Sequence, residues 1–123
     1  MEAFDIVKIA ANALNDKKGL NISAIKIGDI TIIAEYMLLV TATSSTHVKS
    51  LADEAEEKLA VAGVTPHHIE GRATGWILLD YDEVIIHVFT GEAREFYNLD
   101  RMWEDGQKID MDTILTKAQE ETK

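Results

Sequence analysis

Cysteine is absent from the 123 residues. Disulfides, thiolate nucleophiles and cysteine-based zinc sites are therefore excluded, which is compatible with a reducing compartment. Basic residues are scarce: 12 Lys plus Arg face 22 Asp plus Glu, for a formal net charge of −10. With no basic block, the chain is poorly suited to gripping phosphate backbones in general, though it can dock on a basic protein. No apolar run reaches the roughly 18 residues of a membrane span. The opening MEAFDIVKIA has neither a basic n-region with a cleavage pattern nor an Arg-rich transit composition. The expectation is a soluble cytoplasmic domain with no membrane contact.

What remains is ordinary for a globular protein. Hydrophobic residues make up 46% and charged residues 28%, enough for one packed domain and incompatible with a disordered chain. Residues Glu2 to Lys18 read as a helix, with Phe4, Val7, Ala11 and Leu14 on one face and Gly19 as its C-terminal cap. Ala24–Asp29 alternates Ile25 and Ile27 with Lys26 and Gly28, and reads as a strand. Tyr36–Ala42 is continuously apolar, as in a strand buried on both faces. From Thr43 to Gly63 the chain reads as a helix capped by Ser44 or Ser45. Its stripe is Val48, Leu51, Ala52, Ala55 and Leu59, and its acidic run is a solvated face.

Val64–Glu70 follows as a short strand after the Pro66 turn. GWILLDYDEVIIHVFTG then reads as a hairpin turning at Tyr81-Asp82. That register sets Asp80 against Glu83, Leu78 against Ile85 and Trp76 against His87. One face, Ile77, Leu79, Val84 and Ile86, is purely apolar and belongs in the core. The other carries Trp76, Leu78, Asp80, Ile85 and His87, and is the candidate functional surface. Glu92–Met102 reads as one or two helical turns with Phe96, Leu99 and Trp103 packing inward. The polar, acidic stretch after Trp103 reads as weak helix or frayed tail.

Four segments resemble the ribosomal silencing factor family, also called Iojap-related proteins. IKIGDI (Ile25–Ile30), AEYMLLVTATSSTHVKSLAD (Ala34–Asp53), GWILLDYDEVIIHVF (Gly75–Phe89) and AREFYNLDRMW (Ala93–Trp103) match its motifs in order and spacing. Ala42, Glu35 and Asp82 depart from the family's usual Gly, Asp and Gly. Asp tolerates a positive φ, so the turn survives. The resemblance implies an α/β fold with a mixed, about five-stranded sheet flanked by helices, nucleotidyltransferase-like. It implies a silencing domain over residues 1–103 with an acidic tail over 104–123. It further implies binding to the large ribosomal subunit through the protein L fourteen, in a bacterial cytoplasm. That binding would block small-subunit joining and damp translation when nutrients are scarce.

The excess negative charge suits a basic ribosomal protein and disfavours bare RNA. Trp76, Asp80 and Tyr81 match the family's interface motif, the aromatics as anchors and Asp80 as acceptor for a basic side chain. His87, Arg94 and Tyr97 complete the candidate partner-binding set. For His87 a buried hydrogen bond, and for Arg94 a structural ion pair, are the competing readings. Homodimerisation through the mixed face or an edge strand is compatible with the pattern. No catalytic residue, metal or cofactor is expected.

Two alternatives stand beside this reading, a dimeric protein-interaction module with another target and an enzyme, a metal-dependent nucleotidyltransferase. The enzyme would pair Asp80 with Asp82 for metal and use Thr43-Ser44-Ser45 at a helix start for phosphate. Ala42 in place of glycine, Asp82 in the turn, and a thin supply of phosphate-binding cations (Lys49, Arg72) weigh against it. His67 and His68 point to opposite faces of a strand and cannot easily share a metal, while His47 reads as a surface residue.

Overall fold

The computed structural model describes residues 1–71 and 75–115. Among them, six strands form one mixed sheet in the order β3-β4-β5-β2-β1-β6. The strands are β1 (Leu20–Lys26), β2 (Tyr36–Ala42), β3 (His68–Glu70), β4 (Trp76–Asp80), β5 (Val84–Thr90) and β6 (Gln107–Ile109). The helices are α1 (Ala3–Asp16), α2 (Ser45–Val61), α3 (Gly91–Tyr97) and α4 (Leu99–Met102). β2 and β5 pair in parallel and every other neighbouring pair is antiparallel.

Strand β2 matches the apolar run and lies at the centre. Leu38, Val40 and Ala42 face α1 and α2, while Met37 and Leu39 face the opposite layer. The α2 stripe buries the five residues its spacing predicts, and Ser44 Oγ caps it by accepting from the His47 amide. Helix α1 buries Val7, Ala11 and Leu14. Its end departs from expectation: Lys18, not Gly19, takes the left-handed position at φ +66. The Lys18 amide donates to the Asn15 carbonyl at 3.0 Å and the Gly19 amide to that of Leu14 at 2.8 Å. Gly19 is needed for a different reason, since a Cβ there would sit 2.5 Å from a Val40 methyl.

Three further differences have local causes. β1 begins at Leu20 and ends at Lys26, not Ala24–Asp29. A bulge at Asn21 (φ +49) interrupts its alternation, and past Ile27 the chain turns outward. The stretch after Trp103 is not frayed up to residue 115: β6 pairs with β1, Ile114 is buried, and its carbonyl accepts from Asn12 of α1. The sheet thus has six strands where about five were expected. Phe96 points outward, 79% exposed, although Leu99 packs inward. Asn98 adopts a left-handed conformation between α3 and α4, so the periodicity linking Phe96 to Leu99 is reset.

The hairpin register also moves. Trp76 pairs with Phe89, Leu78 with His87 and Asp80 with Ile85. The turn centres on Asp82-Glu83, with Asp82 at φ +68. A turn at Tyr81-Asp82 would force an aromatic residue into the left-handed region, which Asp tolerates far better. Moving the turn by one residue slips the pairing by two, so the division into faces survives.

Candidate functional site

The apolar face of the hairpin packs under α1 and α2, as its pattern requires. The mixed face is only partly roofed by α3 and α4, leaving Trp76, Leu78, Asp80 and Ile85 half-buried. Trp76 is its centre. Its Nε1–H donates to His87 Nδ1 at 3.1 Å. Ring centroids lie 4.4 Å away at Tyr97, 5.6 Å at His87 and 5.9 Å at Phe89. Indole is a donor only, so His87 Nδ1 must be unprotonated and the ring proton belongs on Nε2. Burial reinforces this, pushing His87 down to about 4. Tyr97 and Phe96 continue the row into solvent, their rings edge to face at 5.0 Å. A hollow of 170 Å³ beside Trp76 is lined by Glu70, Gly71 and Leu78. Sequence reasoning left out Phe89 and turned Phe96 inward, although continuing the alternation Ile85, His87 would have found Phe89.

Arg94 fixes the roof. Its Nε and Nη2 form a fork on Asp100 at 2.9 and 2.8 Å. Nη1 donates to the Asn21 carbonyl and the Thr41 hydroxyl, and Nη2 to Ser23 Oγ. The guanidinium hydrogen bonds hold the Asp100 carboxyl below the usual carboxylate range. With its side chain only 14% exposed, Arg94 ties α3 and α4 to β1 and β2 and so sets the height of Tyr97.

Tyr81 is a correction. Expected exposed at the turn tip, it is 5% exposed within the helix-side core. As an odd-numbered neighbour of Ile77 and Leu79, it shares their face once the turn moves to Asp82. Its hydroxyl has no hydrogen-bond partner among the described residues, and burial, with Glu56 adding to it, pushes the phenol up to about 12. Asp80 stays half-open: Oδ1 accepts from the Asp82 amide at 2.8 Å, and Oδ2 lies 3.6 Å from His68 Nδ1.

The two halves of the nucleotidyltransferase reading are kept apart by topology. Asp80 pairs at the start of β5, whereas Ala42, leading to Ser44 and Ser45, pairs with Thr90 at its end. Five residues of strand separate them, about 16 Å. No group of three or more His, Asp or Glu is placed to hold a metal among the described residues. Arg72 lies outside them. His67 and His68 pair separately, with Asp82 at 3.8 Å and Glu70 at 3.0 Å. His47 is a structural link: Nδ1 accepts from the Thr43 amide at 2.9 Å, and Nε2 lies 2.8 Å from the Lys17 carbonyl.

Fold and site together define an acidic α/β domain that holds an aromatic row half-open on one sheet face. Among the described residues no helix is long and apolar enough to cross a membrane. A family model described as "Ribosomal silencing factor during starvation" matches residues 1–123. Ribosomal silencing factor RsfS of Zymomonas mobilis is 36% identical over 106 residues, covering 85% of this chain and 80% of that one. That of Bacillus subtilis is 33% identical over 113 residues, covering 91% and 96%. A crystal structure of a Chromobacterium violaceum protein superposes with a TM-score of 0.82 at 34% identity, covering 89% of this chain and 92% of that one. The chain belongs to the ribosomal silencing factor family.

Proposed function

We propose that this chain represses translation by docking on a basic protein of the large ribosomal subunit, L fourteen, and thereby blocking small-subunit joining. Family membership supports a regulator that acts at the ribosome. The observation that carries the docking surface is the half-open aromatic row. Trp76, Tyr97 and Phe96 offer large apolar area beside a hollow able to receive a partner side chain. Asp80 adds an acceptor at the rim, and the net charge of −10 favours a cationic partner and speeds encounter. Tyr81, His87 and Arg94 act from beneath, the first by filling the core, the second by orienting Trp76, the third by pinning α3.

The test is a sucrose gradient with purified large and small subunits at a magnesium concentration that drives joining. Wild-type protein should co-migrate with the large subunit and deplete the joined peak. Trp76→Ala with Tyr97→Ala should lose both effects while keeping the circular dichroism spectrum. Wild-type binding by that folded variant would refute the surface; normal joining with no co-migration of wild type would refute the function.

A further inference from the structure

A second surface lies at the other end of the sheet. The loop from β1 to β2 carries Ile30, Ile32 and Ile33, exposed to 47%, 103% and 55%. These are not side chains on a slack loop. The Ile27 carbonyl accepts from the Ile30 and Thr31 amides at 3.0 and 3.1 Å, and the Ile33 amide donates to Thr31 Oγ1 at 3.3 Å. The Glu35 and Tyr36 amides both donate to the Glu83 carbonyl, locking the loop to the hairpin. A fully exposed isoleucine on a tied loop gains nothing for the fold, so its apolar area is available to a partner.

Beside the loop runs an open groove of 740 Å³. Phe4, Ile32, Ile33 and Tyr36 supply its apolar lining, with the Phe4 and Tyr36 rings in contact at 5.8 Å. Glu2, Glu35, Asp82 and Glu83 also line it, and among the described residues no Lys or Arg does. Lys8 lies over the Phe4 ring and pairs with Asp5 at 3.8 Å, outside the groove.

We infer that this groove is a second docking site, and that its occupant is a protein segment carrying Lys or Arg beside aliphatic side chains. Taking the reading above as given, that segment belongs to the large ribosomal subunit. Four carboxylates around an apolar lining match cationic side chains on an apolar stem. The same carboxylates repel a phosphate backbone, and isoleucines offer no stacking platform for bases. A second copy of this chain, at −10, is a poorer fit for so acidic a groove. The site is separate from the aromatic row: Asp82 and Glu83 precede β5, whereas Trp76 pairs with Phe89 near its far end. The strand between Ile85 and Phe89 spans about 13 Å.

Two measurements on the full chain test this. In the first, Ile32 is replaced by the photocrosslinking residue benzoylphenylalanine and the protein is irradiated with purified large subunits. Crosslinking to a ribosomal protein is expected; crosslinking to ribosomal RNA, or none while the protein co-sediments, overturns the inference. In the second, Ile32→Ser with Ile33→Ser is titrated against large subunits by co-sedimentation. Loss of two apolar contacts should weaken binding roughly ten- to a hundredfold. Glu35→Gln with Glu83→Gln should flatten the salt dependence. Ile32→Ala with Ile33→Ala provides a second uncharged pair should the serines disturb folding. Wild-type affinity in both isoleucine pairs, with binding lost in Trp76→Ala/Tyr97→Ala, sinks this site and leaves the aromatic surface standing. No binding by wild type sinks the underlying reading, and this inference with it.

Discussion

The burial of His87 beneath Trp76 makes a quantitative demand on the pH dependence of stability. Burial of the ring lowers the His87 pKa from 6.5 to about 4, and the folded state holds the neutral form, whose Nδ1 accepts the indole proton. The unfolded chain regains an ordinary histidine. Between those values the unfolded state binds more protons, so stability must fall as the pH drops through the window. At 1.36 kcal/mol per unit the full window is worth about 3 kcal/mol, with about 2 kcal/mol between pH 7 and pH 4.5. Urea unfolding near those two pH values measures the loss. Carboxylates also titrate there, so the comparison is with His87→Gln, which keeps an acceptor for the indole and cannot be protonated. The variant should lose less stability than wild type, by about 2 kcal/mol, over the same interval. Equal losses would refute the buried neutral histidine, as would an imidazole NMR titration midpoint near the ordinary value.

Two other perturbations test the supports under the same surface. Tyr81→Phe removes a buried hydroxyl that has no partner among the described residues, and should raise unfolding stability by about 1 kcal/mol. A loss of that size in urea titration would mean that the hydroxyl is bonded. Arg94→Lys replaces a fork with a point charge, stranding Asp100 and the Thr41 and Ser23 hydroxyls. It should cost about 2 kcal/mol and speed amide exchange across α3 and α4. A neutral result would show that α3 is held by packing alone.

The sequence determined the features that an unbroken repeat of two or 3.6 residues encodes, and missed where a left-handed residue breaks the repeat, at Asn21 and Asn98. The uninterrupted run Tyr36–Ala42 placed the central strand, and the stripe Val48 to Leu59 placed α2. Alternation from Trp76 to His87 separated core from surface even though the turn was misplaced by a residue. A register slip of two preserves faces, so this conclusion was insensitive to the error. The motifs pointing to the family were equally local. The tertiary structure decided what depends on residues distant in the chain. Arg94 meets Ser23 and Asn21, 71 and 73 positions away, and nothing in AREFYNLDRMW shows which carbonyl or hydroxyl will face it. β6 exists because β1 leaves a free edge for residues 107–109, a pairing that a polar, acidic stretch does not announce. Which hairpin residue turns the chain, and therefore whether Tyr81 is tip or core, was settled by the cost of a positive φ at an aromatic residue against its low cost at Asp82. Local periodicity assigns faces; only closure of the sheet and its roof assigns partners across them.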